Sequence, residues 1–277
     1  MDGVKILFVL NFLGTLIALG KSEDNAIDRD VLLTLKQKQA LDAFKYRISP
    51  ILPHDYMKED IYLVRWLRAR NFNIPQAEDM LKTHLRWRKA TNMDRLRMKD
   101  FADISSKYPV YVDTFDKNGA PVIIAANGQW DLREAHLTGN GQRLLLFIDK
   151  AMDEAASLIR KAQQEGKNVT RFHWVLNQEG FNLIQHGCPR CFLSIVHFLN
   201  SYENNFPGLM DKLIVINAPR SIQVVAPIVR ATSSTFESRV QLFSTNKAEW
   251  VKYLLEFIDE DQLTEEYGGS RVRQSES

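Results

Sequence analysis

The chain has 277 residues, 45% of them hydrophobic and 25% charged, a globular composition long enough to bury a sizeable core. Its 36 basic and 34 acidic side chains nearly cancel, so nothing in the balance calls for nucleic acid as a partner. We expect one compact monomer that binds no nucleic acid.

Residues 1–20 stand apart. Lys5 precedes the apolar run ILFVLNFLGTLIALG, which gives way to the polar KSEDN, a layout that reads as a signal peptide cleaved near Gly20. Asn11, Gly14 and Thr15 interrupt the run, which falls short of the roughly 18 apolar residues of a membrane span.

From about Leu32 to Met98 the pattern is helical. Leu63, Trp66 and Leu67 fall at i, i+3 and i+4, and Ala77, Met80, Leu81, His84 and Leu85 repeat that spacing. Pro75 opens the second of these helices, where its missing N–H is harmless. His84 lies on the stripe with no metal-ligand spacing around it and is read as structural. Between Lys58 and Lys99 basic residues outnumber acidic ones eleven to five, as suits a solvated helix face or a transient contact with an anionic membrane surface.

Beyond Phe101 the period changes. The runs Pro121 to Ala126, Arg171 to Leu176, Lys212 to Asn217 and Arg239 to Phe243 read as strands, separated by helical stretches Arg143 to Lys161, Pro189 to Tyr202, Ile222 to Val229 and Ala248 to Ile258. This alternation predicts an α/β domain with a mixed, mainly parallel sheet and helices packed on its faces.

Signatures of catalysis are mostly absent: no GxSxG elbow, no GxxxxGK(S/T) phosphate loop and no HExxH helix. The enzyme-like exception is Cys188-Pro189-Arg190-Cys191, with His186 and His197 nearby. It could support thiol chemistry or zinc, or simply start a helix. At i and i+3 of a helix the two Cβ atoms stand about 5 to 6 Å apart, beyond the roughly 3.8 Å of a relaxed disulfide, so free thiols are expected. No catalytic residue, metal or cofactor other than a bound hydrophobic ligand is assigned. Asn168-Val169-Thr170, in the polar connection before the Arg171 strand, is an N-glycosylation acceptor.

A cavity is suggested by three apolar features. Phe172, Trp174 and Leu176 alternate along one strand, and Leu213 and Val215 do so along a neighbour. The segment Ile222 to Val229 is apolar nearly all round, with Pro227 inside it expected to kink the helix, which makes it a candidate moving lid.

These residues resemble the CRAL-TRIO lipid-binding family. The stretch Glu59 to Arg88 is similar to its amino-terminal helical module, and DKNGAPV (Asp116 to Val122), NNFPGLMDKLIVINAPR (Asn204 to Arg220) and EEYGGS (Glu265 to Ser270) follow in the family's order. The resemblance implies a helical module over residues 34–98, a lipid-binding domain over 101–270 and a polar tail at 271–277. It implies a sheet flooring a pocket under a helical gate, with Phe172, Trp174, Leu176 and Leu213 in the floor, Ile222, Val225 and Val229 in the gate, and Tyr202 near the pocket. Members that bind phosphatidylinositol carry an acidic residue where this chain has Gly208 and a lysine nearest to Arg239, which puts inositol recognition in doubt and leaves Arg239 as a candidate phosphate contact. Asn177 stands where many relatives have aspartate.

The function expected is binding of a hydrophobic small molecule or phospholipid and its transfer between membranes, without enzymatic chemistry. The alternatives are a lipid sensor that reports ligand state to a partner, and a thiol enzyme built on Cys188 and Cys191. The leader and the sequon together predict a secreted, glycosylated chain. A cytoplasmic carrier peripheral to membranes is the alternative.

Overall fold

The computed structural model of the chain describes residues 26–225, 227, 229 and 238–273. The expected signal peptide lies outside the described residues.

The amino-terminal part comprises α1 (Ala26–Val31), α2 (Leu35–Ile48), α3 (Asp60–Ala69), α4 (Ile74–Thr91) and the short α5 (Met93–Leu96) and α6 (Ala102–Ser105). Thr34 starts α2 with a reciprocal cap: its hydroxyl accepts from the Gln37 N–H while the Gln37 side chain accepts from the Thr34 N–H. Asn73 caps α4, with Pro75 in its first turn. The expected stripes converge, since Leu41, Phe44 and Ile48 of α2 bury against Leu63, Trp66 and Leu67 of α3 and Ala77, Met80 and Leu81 of α4.

The second part is a five-stranded sheet in the order β1 (Val110–Phe115), β2 (Pro121–Ala125), β3 (Phe172–Asn177), β4 (Met210–Ile216) and β5 (Val240–Leu242). The β1–β2 pair is antiparallel and the others are parallel. β1 was not among the expected strands, because the polar Asp113 and Thr114 break its apolar alternation; pairing with β2 makes it a strand. DKNGAPV now has a mechanical meaning. The Asp116 carboxylate accepts from the N–H groups of Asn118 and Ala120, and Gly119, at φ 82°, closes the hairpin into β2.

Side chains alternate between two faces. Ile123, Trp174, Leu213 and Val215 join α8 (Gly141–Gln164) and α10 (Pro189–Asn205), whereas Val122, Val175, Ile214 and Ile216 pack on Trp250 and Leu254 of α11 (Lys247–Phe257). Two short helices, α7 (Leu132–Leu137) and α9 (Leu183–His186), complete the first of these layers.

Two expectations need correction. Cys188 and Cys191 form a disulfide, Cα atoms 5.0 Å apart, because Cys188 is the extended N-cap of α10 and not a helical residue, so the i, i+3 spacing does not apply. The stretch from Ile222 begins as a 3-10 turn, Arg220–Val224, that ends at Val225 before Pro227, so within the described residues the proline does not interrupt that turn; Ala226, Ile228 and 230–237 lie outside the description. At the start of the expected polar tail, Arg271 and Arg273 both pair with Asp113 of β1.

The module is joined to the sheet domain by polar contacts. Arg88 of α4 donates to Asp153 of α8, and the His84 ring meets the Asn205 side chain of α10 at 3.2 Å. Arg65 of α3 donates to the Thr170 carbonyl, and burial pushes its guanidinium down to about 10. Part of the basic excess is therefore internal to the fold.

Candidate functional site

The layer between the sheet and α8 and α10 does not close completely. It leaves a cavity of about 410 Å³ over the carboxyl half of the parallel strands. That is the end at which open α/β sheets characteristically bind ligands. Trp174 and Leu176 of β3 and Leu213 and Val215 of β4 form the floor. Val240 and Leu242 of β5 extend it, Ile195, Phe198 and Leu199 of α10 and Ile148 of α8 form a wall, and Ile222, Val225 and Val229 line it from the segment after β4. The Phe198 ring meets Trp174 edge-on at 4.9 Å.

Of the residues expected at the site, Trp174, Leu176, Leu213, Val215, Ile222, Val225 and Val229 come together. Three do not. Phe172 is fully buried at the amino end of β3, on the cavity-side face but away from the cavity. Tyr202 sits at the same end, where its hydroxyl accepts from the Met210 N–H. Arg239 donates to the Met210 carbonyl, which anchors the chain entering β5 rather than offering a phosphate contact in the cavity. Asn168 is exposed in the connection after α8, its side-chain oxygen accepting from the Ile27 N–H at 2.9 Å.

The departures from the family pattern have local reasons. Gly208 has φ 71°, a backbone that favours glycine over an acidic residue. Asn177 donates to Glu266 and accepts from the side chain of Asn217, which in turn accepts from the Trp250 indole, so the amide ties β3 to β4 and to the carboxyl-terminal strap.

Sequence reasoning missed a polar end of the cavity, made by Asn127, Trp130, Gln178 and His186. Asn127 follows β2 and Gln178 follows β3, so parallel pairing sets them side by side. Gly128 permits the approach: a Cβ there would stand 2.3 Å from the Gln178 backbone. The His186 ring donates from Nε2 to the Asn127 carbonyl at 3.0 Å and accepts at Nδ1 from the Asn182 N–H at 3.3 Å, which fixes α9 against this turn. Gln178 was legible as the next member of the series Trp174, Leu176. Asn127 and Trp130 had no periodic signal.

The CRAL/TRIO domain model matches residues 105–269, well over half of the chain. The chain belongs to this family. The family is known for binding lipids and small hydrophobic ligands. The matched range starts just before β1 and ends at the Gly268-Gly269 turn, so it is the sheet domain that carries the likeness. Among related proteins, a CRAL-TRIO domain-containing protein of Caenorhabditis elegans is 27% identical over 62% of this chain and 24% of its own length. The protein real-time of Anopheles gambiae is 25% identical over 95% of this chain and 36% of its own, and the protein ctg-1 of Caenorhabditis elegans 21% over 81% and 59%. The chain thus spans less than two thirds of each of these curated relatives. The crystal structure of Sfh5 shares the fold, with a TM-score of 0.68 at 16% identity over 88% of this chain and 90% of that one.

Proposed function

We propose that this CRAL-TRIO chain takes up one hydrophobic molecule into its cavity and carries it between membranes. The observation that carries the reading is the wall itself: residues of strands, helices and the connection after β4 converge on one space with a largely hydrocarbon and aromatic surface. An apolar ligand moving from a bilayer into such a space exchanges one dry surrounding for another, so transfer is reversible and needs no covalent step. We assign the gate to the segment bearing Ile222, Val225 and Val229, because these side chains line the cavity from the connection between β4 and β5.

Docking to the membrane is ascribed to the face beside the cavity. Leu137 of α7, Leu183 and Ile184 of α9 and Leu193 of α10 are all more than half exposed, on helices that pack on one another and also contribute cavity residues. Among the described residues no helix is long and apolar enough to cross a membrane. Mass spectrometry of lipids extracted with the purified protein, paired with transfer of labelled lipid between vesicles, tests the reading. Copurified lipid with transfer supports it. Binding without transfer favours a sensor, and an empty protein that transfers nothing removes it.

Secretion is proposed on three observations: the apolar leader, the exposed sequon at Asn168, and a disulfide of the kind that persists in oxidising compartments. Expression in cultured cells tests it. A medium-borne product that shifts on deglycosylation supports the route, and an unglycosylated cytosolic protein with Met1 intact excludes it.

A further inference from the structure

The Cys188–Cys191 disulfide closes a corner that other bonds already fix. Its cysteines are three positions apart, so the ring they close removes little freedom from the unfolded chain. The Asn182 side chain caps α9 by accepting from the Gln185 N–H, the Gly187 N–H donates to the Leu183 carbonyl, and the His186 ring donates to the Asn127 carbonyl. As a staple the cross-link contributes little. Its environment suits chemistry better.

The two sulfurs sit in unlike surroundings. Cys188 is the N-cap of the 17-residue helix α10 and is partly exposed, and its Sγ accepts from the Cys191 N–H at 3.1 Å. Cys191, in the first turn, is fully buried, with its Sγ 3.5 Å from the Gln185 carbonyl. Pro189 and Arg190, between them, are exposed. Once the bond is reduced, the Cys188 sulfur stands where a helix start favours negative charge, with an N–H already aimed at it and the Arg190 charge two residues on. The Cys191 sulfur stands where burial favours the neutral thiol, and the Gln185 carbonyl can accept its proton in a hydrogen bond. One sulfur is thus placed to exchange and the other to resolve.

We propose that Cys188 and Cys191 form a thiol–disulfide exchange site, which oxidises an external dithiol by way of Cys188 and stands independently of the carrier reading. A substrate thiolate attacks the Cys188 Sγ. The bond between the two Sγ atoms breaks, and Cys191 leaves with the electron pair and takes up a proton, so a mixed disulfide joins the substrate to Cys188. The second thiolate of the substrate then attacks the substrate's own sulfur in that bond. Cys188 leaves as a thiolate held by the Cys191 N–H. Two electrons have passed from the dithiol to the protein: the substrate ends as a disulfide and the protein as a dithiol. The same steps in reverse reduce a disulfide substrate. Both substrate sulfurs come from another molecule, because the chain has only these two cysteines.

The test uses the full chain at neutral pH, with dithiothreitol and glutathione as probes and acid quenching before mass spectrometry. Dithiothreitol should reduce the folded protein to completion without denaturant, several-fold faster than it reduces oxidised glutathione under the same conditions. Reduction that needs urea, or that is no faster than that of oxidised glutathione, would overturn the proposal and leave an inert structural bond. Cys191→Ser should then take one glutathione from oxidised glutathione, on Cys188. Cys188→Ser should react at least about tenfold more slowly, because its remaining thiol is buried. Equal rates for the two variants would overturn the assignment of Cys188. Should either variant fail to fold, peptide mapping of the parent protein quenched during reduction by glutathione locates the mixed disulfide: on Cys188 it supports the proposal, and on Cys191 it overturns it.

Discussion

Arg88 of α4 and Asp153 of α8 meet through a 2.6 Å hydrogen bond at the seam between the helical module and the sheet domain, with 8% and 1% of their side chains exposed. Burial works against the Arg88 charge, but Asp153, joined by Tyr56 and by Asp94, which also pairs with Arg88, holds the guanidinium above its ordinary value. Removing Arg88 leaves the Asp153 carboxylate buried without its ion-pair partner, whereas Arg88 also pairs with Asp94. Arg88→Met should therefore cost about 3 to 5 kcal/mol of unfolding free energy, and the double variant with Asp153→Leu should recover most of it. Urea unfolding of the three proteins measures both. A single variant as stable as the parent would mean that the seam is open to water.

His84 provides a pH signature. It lies 4.8 Å from the Trp66 ring and is buried, and burial pushes its imidazole down to about 3. Between that value and the ordinary 6.5 the unfolded chain binds the proton more tightly than the folded one. Stability from this group is thus complete above pH 6.5 and falls as the pH drops, by up to about 1.4 kcal/mol per unit. His84→Gln should flatten that slope. Identical slopes for variant and parent in chemical denaturation would contradict the assignment.

Leu176 lies half-buried on the cavity floor, so a charge there strikes the ligand more than the core. Leu176→Glu should weaken retention of an apolar ligand by about a hundredfold, since an ionised carboxylate in a dry wall has nothing to pair with. Leu176→Met should bind nearly as the parent does. Ligand counts after gel filtration decide it, and a fully loaded Leu176→Glu protein would displace the floor from where it is drawn.

Ile184 is 73% exposed on α9 beside the cavity. Ile184→Glu should slow vesicle-to-vesicle transfer several-fold and leave the melting temperature within about 1 °C, because an exposed side chain contributes little to folding. Stopped-flow transfer and calorimetry read the two effects separately. Unchanged transfer would remove this face from the docking surface.

The cysteines should titrate as zero free thiols in the native oxidised chain and two after reduction, by reaction with a chromogenic disulfide. The ring they close is short, so Cys188→Ser with Cys191→Ser should cost less than about 2 kcal/mol. Two reactive thiols in protein kept from reductant would show that the bond does not form.

Much of the fold could be read from the sequence because it depends on local periodicity. The stripes at Leu63, Trp66 and Leu67 and at Ala77, Met80 and Leu81 became the module core. The alternations Trp174, Leu176 and Leu213, Val215 became the cavity floor. An apolar face repeats every 3.6 or 2 residues wherever it packs, and that repeat survives in one dimension. The ordered motifs carried the family for a similar reason, since turns such as Asp116 to Gly119 place fixed demands on residue type.

What the tertiary structure alone decided is where packing stops. Phe172 and Trp174 share one face of β3, yet only Trp174 reaches the cavity, because the space lies over the carboxyl half of the strands while Phe172 is sealed at the other end. The same division separates Tyr202 from Phe198 on α10. Cys188 and Cys191 pair because a helix begins one residue later than their spacing suggests. Asn127 and Gln178 stand 51 positions apart and become neighbours only when β2 and β3 run parallel and Gly128 lets the two turns touch. A cavity is the space left where several distant elements fail to meet, and no single segment records that space in its own pattern.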